Sequence, residues 1–172
     1  MPDGNGLFRT IGRTLQSLVR CVNSFSPGSV SVSAGQVMIL GGNALSLPYA
    51  APEVNGTTTL KSIQLTEKCA TGSQLKGDIK IIFLDAAGIA AQGSAFSVSS
   101  GVNVLGIVNV VEADYKVEYD RSGNRESIAR VTCDIPMRCA SASNTVYACL
   151  VAAESLTFVS SHVYTVEGFF LQ

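Results

Sequence analysis

Two periodicities divide this chain. Between residues 7 and 22, Leu7, Ile11, Leu15, Leu18, Val19 and Val22 recur at steps of three and four, while Arg9, Arg13, Gln16 and Arg20 fall mostly elsewhere on a helical wheel. That pattern predicts one amphipathic helix, weakened slightly by Gly12. Residues 23–28 (NSFSPG) carry turn chemistry and predict a joint. From residue 30 onward the period becomes two. Segments 30–33, 36–40, 45–47, 60–66, 78–84, 95–99, 103–111, 114–119, 128–135, 145–153, 156–159 and 164–171 read as strands or pieces of strands, with Gly, Pro, Asn, Asp and Ser between them. They predict roughly nine or ten short strands with a turn about every 8–12 residues. Residues 78–84 (DIKIIFL) are the strongest. Ile79, Ile81 and Phe83 share one face, and Ile82 and Leu84 predict that an arm or a partner covers the other.

The fold class follows from that layout. No helix-period segment lies between strands, so alternating βαβ units are excluded. The expectation is an all-β, antiparallel sandwich or barrel, jelly-roll-like, preceded by an N-terminal amphipathic helix. Residues 1–28 form a helical arm and linker, and residues 29–172 form the β-sandwich domain. The Phe, Leu and Arg content of the arm also suits a membrane-surface helix. The preferred reading is an arm that docks on its own domain or on a neighbouring subunit. Its contact candidates are Leu7, Phe8, Ile11, Leu15, Leu18 and Cys21.

Composition narrows the partners. With 172 residues and 47% hydrophobic content, the chain can build one ordinary core. Only 15% of residues are charged, which leaves a surface of Ser, Thr, Gly and Asn suited to packing against other proteins. Net charge is -1, and the basic residues form no cluster large enough for many phosphates, so no nucleic-acid partner is expected. No uninterrupted apolar run reads as a secretory signal or a membrane span, and no membrane partner is expected. Asn55-Gly56-Thr57 matches a glycosylation sequon and reads more simply as a turn.

Candidate chemistry is sparse. Hydrolase-elbow, P-loop and dinucleotide glycine patterns are absent from the sequence. The five cysteines, Cys21, Cys69, Cys133, Cys139 and Cys149, include no CxxC pair, and His162, the only histidine, has no neighbour at ligand spacing. No metal and no cofactor are therefore expected. Buried thiols are the simplest account of the cysteines. Disulfides, paired within the chain or between subunits, are the alternative, with Cys21 as the first intersubunit participant. Glu112, Asp114, Glu118 and Asp120 would share one face of an unbroken strand, a geometry open to a cation or an acid–base pair. Lys116 on that same face favours a solvated surface instead. His162 next to Ser160 and Ser161 makes no nucleophile pair, because adjacent strand residues point apart. No catalytic residue is assigned, and the expectation is a protein that is not an enzyme.

One stretch carries a family resemblance. Residues 61–86, KSIQLTEKCATGSQLKGDIKIIFLDA, resemble a recurrent pattern of tailed-bacteriophage genomes. A K/QS-hydrophobic-x-L strand there precedes a polar turn, and a strand ending in Phe-hydrophobic-Asp follows, here Phe83-Leu84-Asp85. Residues 104–108 (VLGIV), the Asp114-Tyr115 pair and residues 145–152 (TVYACLVA) stand in the matching order. The chain thus resembles phage virion structural proteins over about residues 58–172. The cysteines and the N-terminal arm depart from that pattern. The resemblance implies location in the virion and a capsid decoration or cement role. The partners implied are the major capsid protein or neighbouring virion subunits, with a homo-oligomer, such as a trimer, as the natural form. A head–tail connector, tail or baseplate component is the nearest alternative. A carbohydrate-binding or adhesion module, with Tyr115 and Tyr119 as its first aromatics, is the more distant one.

Overall fold

The computed structural model describes residues 17–70, 75–121 and 124–172. The strands in chain order are β1 (Leu18–Phe25), β2 (Ser31–Val32), β3 (Leu45–Leu47), β4 (Thr57–Ala70), β5 (Ile79–Leu84), β6 (Val104–Val110), β7 (Tyr115–Arg121), β8 (Asn124–Arg138), β9 (Val146–Ala152), β10 (Leu156–Thr157) and β11 (Val163–Leu171). The fold is all-β, built from antiparallel sheets. A five-stranded sheet has the order β1-β11-β4-β8-β7, and a four-stranded sheet has the order β3-β9-β5-β6. β2 and β10 form a separate two-stranded ribbon.

Period-two patterning explains the packing. Along β4, Leu60 is buried and, after a register shift between Leu60 and Ser62, so are Ile63, Leu65, Glu67 and Cys69. Along β11, Tyr164, Val166 and Phe170 are fully buried. Facing them, Ile79, Ile81 and Phe83 of β5 are fully buried with Ala148, Leu150 and Ala152 of β9. The two large sheets meet at Gly106 of β6, where a Cβ would lie 2.7 Å from Ile135 Cγ2 on β8. That distance is below van der Waals contact, so only glycine lets the layers come this close.

The expected second cover over β5 is present, and the chain supplies it. Ile82 and Leu84 are buried, as are Cys149 and Val151 of β9. Ile39 and Ile89 are buried in the same cluster, and Phe96, Val98 and Val102 from the 85–103 excursion pack against it. No arm or partner is needed there.

Several expected elements differ. Residues 18–22 are not helical. They belong to β1, which pairs with β11 from Leu18↔Leu171 to Phe25↔Tyr164. The helix-like steps of Leu15, Leu18 and Val22 coexist with a period of two in Val19, Cys21, Asn23 and Phe25, and that second set turns inward. Pairing of β1 in the five-stranded sheet extends the domain to residue 18, ahead of the expected boundary at 29. The rest of the expected helix, including Leu7, Phe8, Ile11 and Leu15, lies outside the described residues. Residues 95–99 form only isolated bridges, Gln36↔Ala95 and Ile89↔Val98. Pro136 does not end β8, which runs on to Arg138. β7 stops pairing at Tyr115↔Ala129, so Pro136 lies where β8 has no further described strand on that side, a position that tolerates a missing N–H.

Candidate functional site

A buried polar cluster sits at one end of the five-stranded sheet, on the face turned to the core. β4 supplies Glu67 and Cys69, two residues apart and therefore on the same side. β8 places Ser127 opposite Glu67, and β11 places Tyr164 opposite it on the other flank. β11 begins with Val163 opposite Lys68, so His162, one residue earlier, continues that register toward Cys69. Tyr115 enters from the first residue of β7. Glu67, Cys69, Ser127 and Tyr164 have no exposed surface, and His162 has only 1%.

Glu67 is the hub. Its Oε1 accepts from the backbone N–H of Leu75 at 3.0 Å and from the Tyr164 hydroxyl at 3.2 Å. His162 Nε2 lies 3.3 Å from the same oxygen. Oε2 accepts from the backbone N–H of Lys76 at 3.0 Å. Burial alone pushes the carboxyl up, but the His162 hydrogen bond and the Leu75 and Lys76 amides outweigh it, and its pKa falls below the usual 4.5. Glu67 thus stays ionised in the interior and ties residues 75 and 76 to β4. The opposite holds for its neighbours. Burial, reinforced by the Glu67 charge, drives the Tyr115 and Tyr164 hydroxyls upward, so both remain protonated.

The contacts of the imidazole select one neutral tautomer. The Val159 N–H points at Nδ1 from 2.9 Å, and the Val159 carbonyl oxygen lies 3.2 Å from the same nitrogen. With Nδ1 accepting, Nε2 carries the proton and donates to Glu67. With Nδ1 protonated and donating to the Val159 carbonyl, Nε2 would turn a lone pair toward the Glu67 carboxylate and Nδ1–H would face the Val159 N–H, so that tautomer needs a cation between Nε2 and Glu67. Phe158 holds the ring edge-on at 5.6 Å. Two hydroxyls of the cluster, Tyr115 Oη and Ser127 Oγ, are buried with no hydrogen-bond partner among the described residues. The sequence-level reading of His162 as having no ligand-spaced neighbour holds only along the chain. The fold brings Glu67 and Cys69 to it from β4, and the three ligand atoms lie within 4.8 Å of one another. The parity of Ile63 and Leu65, carried two and four residues further, was the signal that puts Glu67 and Cys69 inside.

The other singled-out residues disperse. The carboxylate row is broken: Glu112–Asp114 is a 3-10 turn ahead of β7, and a register shift follows between Tyr115 and Val117. Asp114 instead accepts the Val111 N–H at 3.0 Å, and the Glu112 N–H donates to Asp78. None of the five cysteines is in a disulfide. Cys21 is buried and its thiol donates to the Pro48 carbonyl at 3.0 Å, so it is not the surface contact expected of it. Burial pushes its pKa up to about 11, and that of Cys149 up to about 12. Leu18 is 61% exposed, on the outer face of the edge strand β1. Val22 on the same face is also exposed, as are Val104 and Ile107 on β6, the edge of the other sheet. A cleft of about 520 Å³ opens between Thr58, Pro136, Arg138 and Gln172, and one of about 400 Å³ between Gln64, Arg130 and Phe169. Neither is lined by the Glu67 cluster. Among the described residues, no helix is long and apolar enough to cross a membrane. No protein-family model matches the chain, and no curated protein matches it.

Proposed function

We propose that this chain is a structural subunit of a virus particle, a jelly-roll sandwich that binds and stabilises an assembled capsid as a decoration or cement protein. The strand order carries the reading. With β2, β7 and β10 set aside, the remaining strands fall into β1-β11-β4-β8 and β3-β9-β5-β6. Successive strands in the chain alternate between those two sheets, except β5 and β6, which pair directly. That alternation is the double Greek key of a jelly roll, the architecture shared by viral capsid domains, lectins and cupins.

Fold does not choose among those uses, so the surface must. Both sheets end in edge strands with exposed apolar side chains, Leu18 and Val22 on β1 and Val104 and Ile107 on β6. Open apolar edges favour association with neighbouring protein. The low charge of the sequence and its resemblance to phage virion proteins favour the same use. The adhesion alternative loses support, because Tyr115 is buried and offers no sugar platform. Partners are then capsid subunits and other copies of the chain, each junction adding a small contact that many copies multiply.

The test is copy number on purified particles, paired with co-sedimentation on assembled shells. A decoration protein is present in many copies and binds shells far better than unassembled subunits. A few copies confined to one vertex would replace this reading with a connector or tail component. Complete absence from particles would overturn the virion reading altogether.

A further inference from the structure

We propose that Glu67, Cys69 and His162 form a buried three-ligand zinc site that the folded domain closes over. The ligand chemistry is mixed thiolate, imidazole and carboxylate, the set that zinc accepts. Geometry supports it first. Two ligands on one tetrahedral zinc ion stand roughly 3.3 Å apart, given bonds of about 2.0–2.1 Å. His162 Nε2 and Glu67 Oε1 stand 3.3 Å apart. All three ligand atoms fall within 4.8 Å of one another, so drawing the Cys69 sulfur in by a side-chain adjustment completes one face of a tetrahedron.

Charge supports it next. A divalent cation facing one carboxylate and one thiolate is neutral overall, which lowers the cost of burying it. Groups that would orient the ligands stand next to them. A zinc-bound imidazole needs its far nitrogen to donate, usually to a carbonyl or carboxylate. The Val159 carbonyl oxygen lies 3.2 Å from Nδ1 for that purpose, and the Val159 N–H, which points at Nδ1 from 2.9 Å, turns aside when the metal binds. The Lys76 N–H on Oε2 and the Tyr164 hydroxyl on Oε1 orient the carboxylate. Binding then shifts the imidazole proton from Nε2 to Nδ1 and releases the Cys69 thiol proton to solvent.

The fourth position is suggested by the hydroxyls that lack a partner. Ser127 stands opposite Glu67 in the strand register, and Tyr115 is close enough to feel the Glu67 charge. Both hydroxyls are buried without a hydrogen bond among the described residues. A buried orphan of this kind costs about 1–3 kcal/mol. A water on the fourth zinc position is the partner that such a site would offer them.

The ligands have essentially no exposed surface, so the metal enters as the chain folds. The experiment refolds the full reduced chain with zinc or cobalt, desalts it, and measures bound metal. Expected are stoichiometric metal, a thiolate-to-cobalt charge-transfer band, and zinc-edge X-ray absorption showing one sulfur with nitrogen and oxygen neighbours. Cys69→Ser should abolish the charge-transfer band, while Cys133→Ser leaves it intact. Wild-type chain that retains no metal overturns the proposal, as does bound metal with no sulfur ligand or a band that survives Cys69→Ser. The wild-type measurements decide the matter even if Cys69→Ser fails to fold.

Discussion

Glu67→Gln replaces a buried carboxylate by an amide of the same shape, and the structure fixes what that removes. Glu67 accepts from Leu75, Lys76 and Tyr164 and faces His162 Nε2. An amide keeps one oxygen. If that oxygen serves Leu75, Tyr164 and His162, the new NH₂ faces the Lys76 N–H, donor against donor. An orphaned buried donor costs about 1–3 kcal/mol. The surviving bonds lose their charge assistance, which roughly halves each. The total is about 4 kcal/mol, within the about 3–5 kcal/mol found when one partner of a buried pair is removed. For a domain of this size that is a fall of roughly 8–16 °C in melting midpoint.

The pH dependence has a defined sign. The folded pKa of Glu67 lies below its usual 4.5, so its stabilisation is fully present above that value and is lost as pH falls through the lower folded value. Urea unfolding with chelator present, for wild type and Glu67→Gln from pH 7 downward, measures both effects. The gap between the two chains should be widest near neutrality and narrow below pH 4.5. A variant within about 1 kcal/mol of wild type at neutral pH would refute the hub role, since that is no more than one ordinary hydrogen bond. A gap that stays constant through the acid range would refute the ionised state.

Gly106→Ala puts a Cβ against Ile135 at 2.7 Å and should cost about 1–3 kcal/mol by urea unfolding, because a close layer contact must open. Deleting residues 1–16 should leave the unfolding transition cooperative, whereas deleting residues 1–24 strips nearly all of β1, removes Cys21, uncovers β11, and should lower the midpoint or cause aggregation in a thermal scan with light scattering. Leu18→Lys combined with Val22→Lys on the open edge should change folding stability by only about 0.5 kcal/mol, yet abolish co-sedimentation with assembled shells.

How much of this was legible beforehand depends on the range of the information. β5 and β9 were visible because their apolar runs are local and unbroken, and the interior face of β4 because Ile63 and Leu65 alternate with polar residues. β1 was misread because LVRCVNSF satisfies two periods at once, and only pairing with β11 decides between them. The strand order was beyond reach, since β11 lies between β1 and β4 through contacts more than 90 residues apart in sequence, as Val163↔Lys68 shows. The carboxylate row failed because parity was carried across a 3-10 turn that resets it. The Glu67 cluster was hidden for a related reason. Its members come from β4, β7, β8, β11 and the turn before β11, and no spacing along the chain records that meeting.

The shift of residues 18–25 from arm to strand alters how an N-terminal contact would act on the domain. A helix on a loose joint could bind a neighbour without strain reaching the core. An edge strand cannot, because β1 is joined along its length to β11. Two further ties run from it. Arg20 pairs with Glu167 at 2.8 Å, and Phe25 stacks on Tyr164 at 5.7 Å. Tyr164 in turn donates to Glu67, the residue that holds 75 and 76 against β4. A neighbour that grips Leu18 and Val22 would therefore pull on a strand anchored, through one aromatic contact and one hydrogen bond, to the buried Glu67 carboxylate. Exposed Leu18 and Val22 and the buried cluster thus belong to one mechanical path.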